Sequence, residues 1–231
     1  MTPAQHDPGR WTRLLAGSGL GFAALTVLGA VAFPMPPGGD VSPASKPLWL
    51  AAHQTPTIAQ SYVRSLGAIA FILFAVVVAD TIRRRLDRIT VLPPIAVVGG
   101  VLSGSLLLLA QATVLSAALE SRGGGTAAVV HTLGSLSDGL LTLSSLPAAL
   151  LFGATGIAFL RTRAVPSWIA YLTLAGVPFA LLDAASYDSG PLEAVGFFGL
   201  VYFLVWSAVT SIALLGKLAG DETPAKTSAL A

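Results

Sequence analysis

Residues 58–82 read IAQSYVRSLGAIAFILFAVVVADTI and run directly into the basic cluster Arg83-Arg84-Arg85. Apolar residues occupy all sides of this stretch instead of one stripe, which is typical of a helix surrounded by lipid or by other apolar helices. About 20 helical residues cross a hydrocarbon core of roughly 30 Å, and a helix satisfies its own backbone hydrogen bonds there. The stretch therefore predicts a membrane-spanning helix with a basic boundary.

Five further apolar blocks of similar length predict an all-α, polytopic transmembrane helix bundle that forms a single membrane domain. The blocks are continuous, whereas the strands of a membrane β-barrel would alternate. Thr126 is a candidate N-cap for the fourth helix, which would then run to Leu160. The six predicted spans cover about residues 14–33, 58–82, 94–119, 139–160, 165–185 and 192–217, with an outer loop at 35–57 and a polar tail at 218–231.

The composition excludes several other classes of protein. Hydrophobic residues make up 54% of the 231 and charged residues only 10%, against about 25% charged residues in soluble domains. The chain has no cysteine, which excludes disulfides, thiol catalysis and cysteine-ligated metals. The three histidines have no paired spacing, so we expect no metal and no cofactor. In a membrane protein, the positions of basic residues mainly reflect its orientation in the membrane. The basic residues therefore do not indicate a nucleic-acid partner, and we expect none.

The basic residues also predict which way round the bundle lies. Six crossings place both termini on one side, and the positive-inside rule assigns the side richer in lysine and arginine to the cytoplasm. We therefore expect a multi-pass protein of a bacterial plasma membrane with both termini cytoplasmic. One side carries Arg10, Arg13, Arg83, Arg84, Arg85, Arg88, Arg161, Arg163, Lys217 and Lys226, and the other carries Lys46, Arg64 and Arg122.

The first apolar block admits a second interpretation. Ala30-Val31-Ala32 has the small-x-small pattern that a signal peptidase accepts. Its apolar run is longer than the 7–15 residues usual for a signal peptide, so we favour a retained helix. Cleavage would leave five spans without inverting the others.

Four polar residues are predicted to lie in the outer leaflet of the membrane or at its interface. At 1.5 Å per residue, Arg64, Gln111 and Asp183 lie roughly 25–28 Å above the inner edge, and Asp138 lies about 34 Å above it. In the fourth helix a polar stripe shares one face because its members are spaced by four and three residues. The stripe consists of His131, Ser135, Asp138, Thr142 and Ser145.

Each of these residues has two interpretations. The stripe either lines an outward-opening polar cavity, or it lies in headgroups and water with its hydroxyls bonded to their own helix. Arg64 either pairs with Asp138 or Asp183, or extends alone to the outer headgroups. Gln111 either joins two helices by hydrogen bonds or binds a ligand. The candidate binding residues are Arg64, Gln111, His131, Asp138, Thr142 and Asp183; no catalytic or metal residue is predicted.

The chain resembles a family of uncharacterised actinobacterial six-helix integral membrane proteins. The resemblance rests on the junction AFLRTRAVPSWIAYL at 158–172, the segment WLAAH at 49–53, the Arg83-Arg84-Arg85 boundary and the late Trp206. It implies a fold and an envelope location but no activity and no site residues.

Three functional hypotheses follow. The first is a non-enzymatic accessory or small-molecule-binding membrane protein with an outward polar cluster. The second is a transporter or exporter component for a small lipophilic compound, and the third is an intramembrane enzyme acting on a lipid or isoprenoid through Asp138 or Asp183. The lipid bilayer is the expected partner in each case. Association with another membrane protein, or with further copies of this chain as a homo-oligomer, is compatible with all three hypotheses.

Overall fold

Most of the residues that the structure describes are helical. The computed structural model describes residues 13–34, 45–86, 90–123, 125–185 and 193–220. No strand occurs in these ranges, and a helical turn at 13–16 precedes the first full helix. The helices are α1 (Ser18–Val31), α2 (Ser45–Ala52), α3 (Gln54–Arg85), α4 (Leu92–Gly123), α5 (Ala127–Leu143), α6 (Ser145–Thr162), α7 (Ser167–Ala185) and α8 (Glu193–Gly220).

Six helical segments are long and apolar enough to cross a membrane, which confirms the predicted all-α polytopic bundle. The second, third and fourth segments are longer than the predicted apolar blocks, because a helix continues through the headgroups, where polar residues meet water. The 32 residues of α3 measure about 48 Å, against roughly 40–45 Å for a bilayer with its interfaces. The six segments are Arg13–Val31, Gln54–Arg85, Leu92–Gly123, Ala127–Thr162, Ser167–Ala185 and Gly196–Lys217.

The segment predicted as an outer loop, 35–57, contains helical structure. Its described part forms α2, and α3 already begins at Gln54. Pro47 is compatible with α2 because it stands in the first turn, where a backbone N–H needs no helical acceptor. Residues 35–44 and most of the predicted tail at 218–231 lie outside the described residues.

The fourth span is interrupted near its middle. Thr126 caps it as predicted, because its hydroxyl accepts a hydrogen bond from the backbone N–H of Val129 at 3.4 Å. The helix stops after Leu143 and resumes at Ser145. Pro147 explains the break, because a proline cannot donate to the carbonyl four residues earlier and its ring clashes with that carbonyl.

The spans close into a ring. α1 packs on α3, α3 on α4, α4 on α6, α6 on α7 and α7 on α8, and α8 returns to α1, while α5 packs mainly on α4. Gly100 and Gly104 face α3: ideal Cβ atoms there would lie 2.2 Å from Ala75 Cβ and 2.4 Å from Ile72 Cγ1. These glycines therefore serve packing within the chain.

An aromatic cluster fills the ring at one level. Phe152 lies 4.8 Å from Trp206 and 5.6 Å from Phe203 between ring centroids, and Phe203 lies 4.8 Å from Phe71. Trp206 is fully buried, and its indole N–H donates to Thr173 Oγ1 at 2.9 Å. Trp206 therefore packs in the core with its polar group satisfied.

Short-range polar contacts tie together the basic end of the bundle. Arg84 and Arg83 lie 2.7 and 3.4 Å from the Asp80 carboxylate in intrahelical ion pairs. Lys217 Nζ donates to the carbonyls of Arg163 and Ala164, each at 3.0 Å. Lys217 thus supplies a donor at the end of α6, where helix carbonyls lack intrahelical partners.

Candidate functional site

A cavity of about 410 Å³ lies among the six spans. Its lining residues come from the end of the bundle where α1, α4 and α7 finish and α3 begins. Arg64 stands in the first half of α3, Gln111 in the second half of α4, and Asp183 in the last turn of α7. This is the end that the distribution of basic residues predicts to face outward.

An aromatic floor closes the cavity toward the basic end. Phe22, Phe152 and Phe203 line the cavity, and their rings also pack on one another, with centroids 5.4 Å apart for Phe22 and Phe203. Phe71 and Trp206 pack against these rings, are fully buried and are not among the lining residues. Toward the basic end, the cavity is therefore lined by closely packed aromatic rings.

Arg64 lies in a groove provided by α1. A Cβ atom at Gly29 would lie 2.8 Å from Arg64 Cγ and 3.3 Å from its Nε, so glycine is what lets the side chain lie against this helix. One turn earlier, Gln60 Nε2 donates to the Gly29 carbonyl at 2.7 Å and fixes α1 to α3 at this point. Arg64 Nε is buried and has no hydrogen-bond partner among the described residues. The side chain is therefore held in place without a matching acceptor at Nε.

Asp138 lies at the mouth of the cavity, with 64% of its side chain exposed. Its carboxylate lies 4.0 Å from Lys46 Nζ, and the lysine reaches it across Gly134, where an ideal Cβ would lie 3.3 Å from Nζ. Helix α2 therefore brings Lys46 to the fourth span. The sequence placed Lys46 in a loop, so it was not counted among the candidate residues.

The polar stripe of the fourth span enters the cavity only in part. Asp138, Thr142 and Ser145 line the cavity, whereas His131 and Ser135 do not. His131 is exposed, and its Nδ1 lies 3.5 Å from Ser135 Oγ. The structure thus separates His131 from the other candidate residues.

Asp183 lies where three helices meet. Ser145 Oγ of α6 donates to its carboxylate, and α8 comes close at two glycines. Ideal Cβ atoms at Gly196 and Gly199 would lie 3.2 Å from Asp183 Oδ1 and 3.5 Å from its Cβ. The break before α6 is what presents Ser145 to α7, because it re-aims the residues that follow Leu143.

The predicted ion pair of Arg64 with Asp138 or Asp183 is not formed as a direct contact. No nitrogen–oxygen distance of 4.0 Å or less joins Arg64 to either carboxylate in the described part of the chain. All three side chains nevertheless line one cavity, as Gln111 does. Gln111 is only 6% exposed, and its contact with the cavity favours the ligand interpretation over a link between helices.

Several lining residues were not among the candidates. Ser144 caps the break in the fourth span and donates to the Leu141 carbonyl at 2.6 Å, while Thr26 brings a hydroxyl from α1. Tyr202 donates its hydroxyl to the Leu172 carbonyl across the α7–α8 contact. Pro147 was the signal that could have drawn attention to Ser144, because it marks a helix break inside a span.

No group of three or more histidine, aspartate or glutamate residues suited to a metal ion occurs among the described residues. Comparisons with protein-family models, with curated proteins and with solved structures give no match to this chain. The resemblance to actinobacterial six-helix proteins therefore stays a prediction.

Proposed function

We propose that the protein binds a small amphipathic molecule in the cavity among its six spans, as a non-enzymatic protein of a bacterial plasma membrane with the cavity facing outward. The observation that carries this proposal is a cavity with a closed aromatic floor, mostly apolar walls and a few convergent polar groups. Small-molecule sites in proteins have this character and typically measure about 300–1,000 Å³. The cavity, at about 410 Å³, falls within that range.

The transport and enzyme hypotheses have less support from the described residues. A transporter needs a route to the second face of the membrane, and the packed rings of Phe152, Phe203 and Trp206 stand in that route. An intramembrane enzyme needs a carboxylate positioned for proton transfer. The Asp183 carboxylate instead accepts a hydrogen bond from Ser145, and Asp138 lies near Lys46 at the exposed mouth.

Filling the cavity tests the proposal. Ala148 and Ala30 both line the cavity, so Ala148→Phe or Ala30→Phe should exclude a ligand. The second variant serves as the test if the first does not fold. Ala112→Leu is the control, because Ala112 is exposed on the outer face of α4. Purified proteins would be extracted with organic solvent, and the released molecules identified by mass spectrometry.

We expect at least one amphipathic species to accompany the wild type and the Ala112→Leu protein and to be depleted from the folded cavity variants. Identical sets of molecules from all of these proteins would contradict the proposal.

A further inference from the structure

Among the charged side chains that line the cavity, the one with a hydrogen-bonding group left unmatched is a cation, Arg64. Three charged side chains line the cavity, and both carboxylates have partners: Asp138 lies 4.0 Å from Lys46, and Asp183 accepts a hydrogen bond from Ser145. Arg64 differs, because its buried Nε has no hydrogen-bond partner in the described ranges and no carboxylate there lies within 4.0 Å of its guanidinium. Arg64 is half-buried and its Nε is cut off from solvent without an acceptor, so an anion arriving beside the guanidinium would be stabilised.

The direction of the Arg64 side chain places such an anion near the mouth. Side chains on a helix lean toward its N-terminus, and α3 begins at the side of the bundle where α4 ends, since Gln54 donates to the Ala118 carbonyl. The contact with Gly29 agrees with this direction, because Gly29 lies two residues before the end of α1 at the same side of the bundle. The aromatic floor lies at the opposite end of the cavity, so charged and apolar binding surfaces are separated along its length.

We propose that the ligand is an anionic amphiphile, with its carboxylate, phosphate or sulfate group bound by Arg64 and its apolar part lying against Phe22, Phe152 and Phe203. This inference rests on the proposed function and adds the chemical class of the ligand. A guanidinium is suited to the role because its planar fork of donors matches these oxyanions in pairs. Gln111, which lines the same cavity, supplies an amide that can donate a further hydrogen bond.

Two sources could supply this chemistry, a membrane-derived amphiphile or a smaller anion that enters from water. The two differ in how binding depends on chain length. A membrane-derived ligand should gain affinity with every methylene that reaches the apolar walls, by about 0.8 kcal/mol each. A ligand from water should bind equally well with a short chain.

The experiment compares dodecanoate with dodecanol and dodecylammonium, which share one chain and differ in the charge of the head. Binding to the purified protein in a neutral detergent would be measured by calorimetry, with hexanoate to separate the two sources. We expect dodecanoate to bind about tenfold or more tightly than dodecanol, as a charge-assisted hydrogen bond predicts. Arg64→Gln should abolish this preference, and Arg64→Lys should restore part of it.

The matched control is Arg122→Gln, which removes an exposed arginine at the same end of the bundle that bonds Gln54 Oε1 at 3.1 Å. It should leave the preference intact. Equal binding of dodecanoate and dodecanol to the wild type, both blocked by Ala148→Phe, would overturn the anionic assignment while the proposed cavity site stands. Tighter binding of dodecylammonium would assign the site to the carboxylates instead. Failure of all four compounds to bind would refute both proposals.

Discussion

Gly99 should be among the least replaceable residues of the bundle, because its missing side chain lets α4 touch the backbone of α6. An ideal Cβ at this position would lie 2.6 Å from Leu151 N and 2.6 Å from Pro147 O. Ordinary contacts between heavy atoms are about 3.5–4.0 Å, so Gly99→Ala requires the two helices to separate by roughly 1 Å. Backbone atoms cannot rotate away as a side chain can.

The free energy change follows from two opposing effects. Overpacking costs about 1–3 kcal/mol, and with backbone atoms on both sides we expect the upper part of that range. Alanine regains about 1 kcal/mol through its better helix propensity. Gly99→Ala should therefore lower the free energy of unfolding by about 2 kcal/mol.

Gly216 provides the matched control, because a Cβ atom there would meet nothing within 4 Å. Gly216→Ala should raise the stability by up to about 1 kcal/mol, so the two alanine variants should differ by roughly 3 kcal/mol. Unfolding in mixed micelles with increasing SDS, followed by circular dichroism, measures the difference. A Gly99→Ala protein as stable as the Gly216→Ala protein would refute the close approach of α4 and α6.

Three further predictions concern the ends of the bundle. Arg163 adopts a left-handed backbone with φ 49°, so Arg163→Gly should raise the thermal unfolding temperature by relieving about 1 kcal/mol of strain; a lower unfolding temperature would contradict this. The Lys46–Asp138 ion pair has a nitrogen–oxygen distance of 4.0 Å, and its side chains are 35% and 64% exposed. Because exposed ion pairs are weak, a double-mutant cycle of Lys46→Ala and Asp138→Asn should give a coupling free energy of only about 0.2–1 kcal/mol. A coupling of several kcal/mol would mean that the pair is shielded from water. Alkaline phosphatase fused to the C-terminus should be inactive in intact cells, because the basic residues predict a cytoplasmic C-terminus; an active fusion would reverse the orientation.

The spans and the level of the polar residues could be predicted because both depend on position along one helix at a time. The membrane fixes the length of each apolar block, and helical rise converts a residue number into a depth. Arg64, Gln111, Asp138 and Asp183 were predicted near the outer boundary of the membrane in this way, and the structure brings all four to one cavity. Thr126 and Asp80 were also predictable, because their partners stand only three or four residues away.

The partners of the site residues could not be predicted, because they depend on which helices are neighbours and how each is rotated. A span that is apolar on every side carries no stripe that identifies its inner face. Pairing of Arg64 with Asp138 or Asp183 could therefore be predicted only from their similar depth. In the structure, Asp138 lies near Lys46 instead. That lysine comes from α2, a helix of only eight residues, too short to be recognised from its composition.

Labelling with a membrane-impermeant maleimide tests most directly whether a water-accessible cavity opens outward among the spans. The chain has no cysteine, so a single introduced cysteine reports on one position. Thr142 lines the cavity, whereas Thr155 is fully buried in the same span. Thr142→Cys should react in intact cells, Thr155→Cys should not, and dodecanoate should slow the reaction at Thr142→Cys. Reaction of Thr142→Cys only after the membrane is opened, or equal reaction of both variants, would contradict an outward-opening cavity.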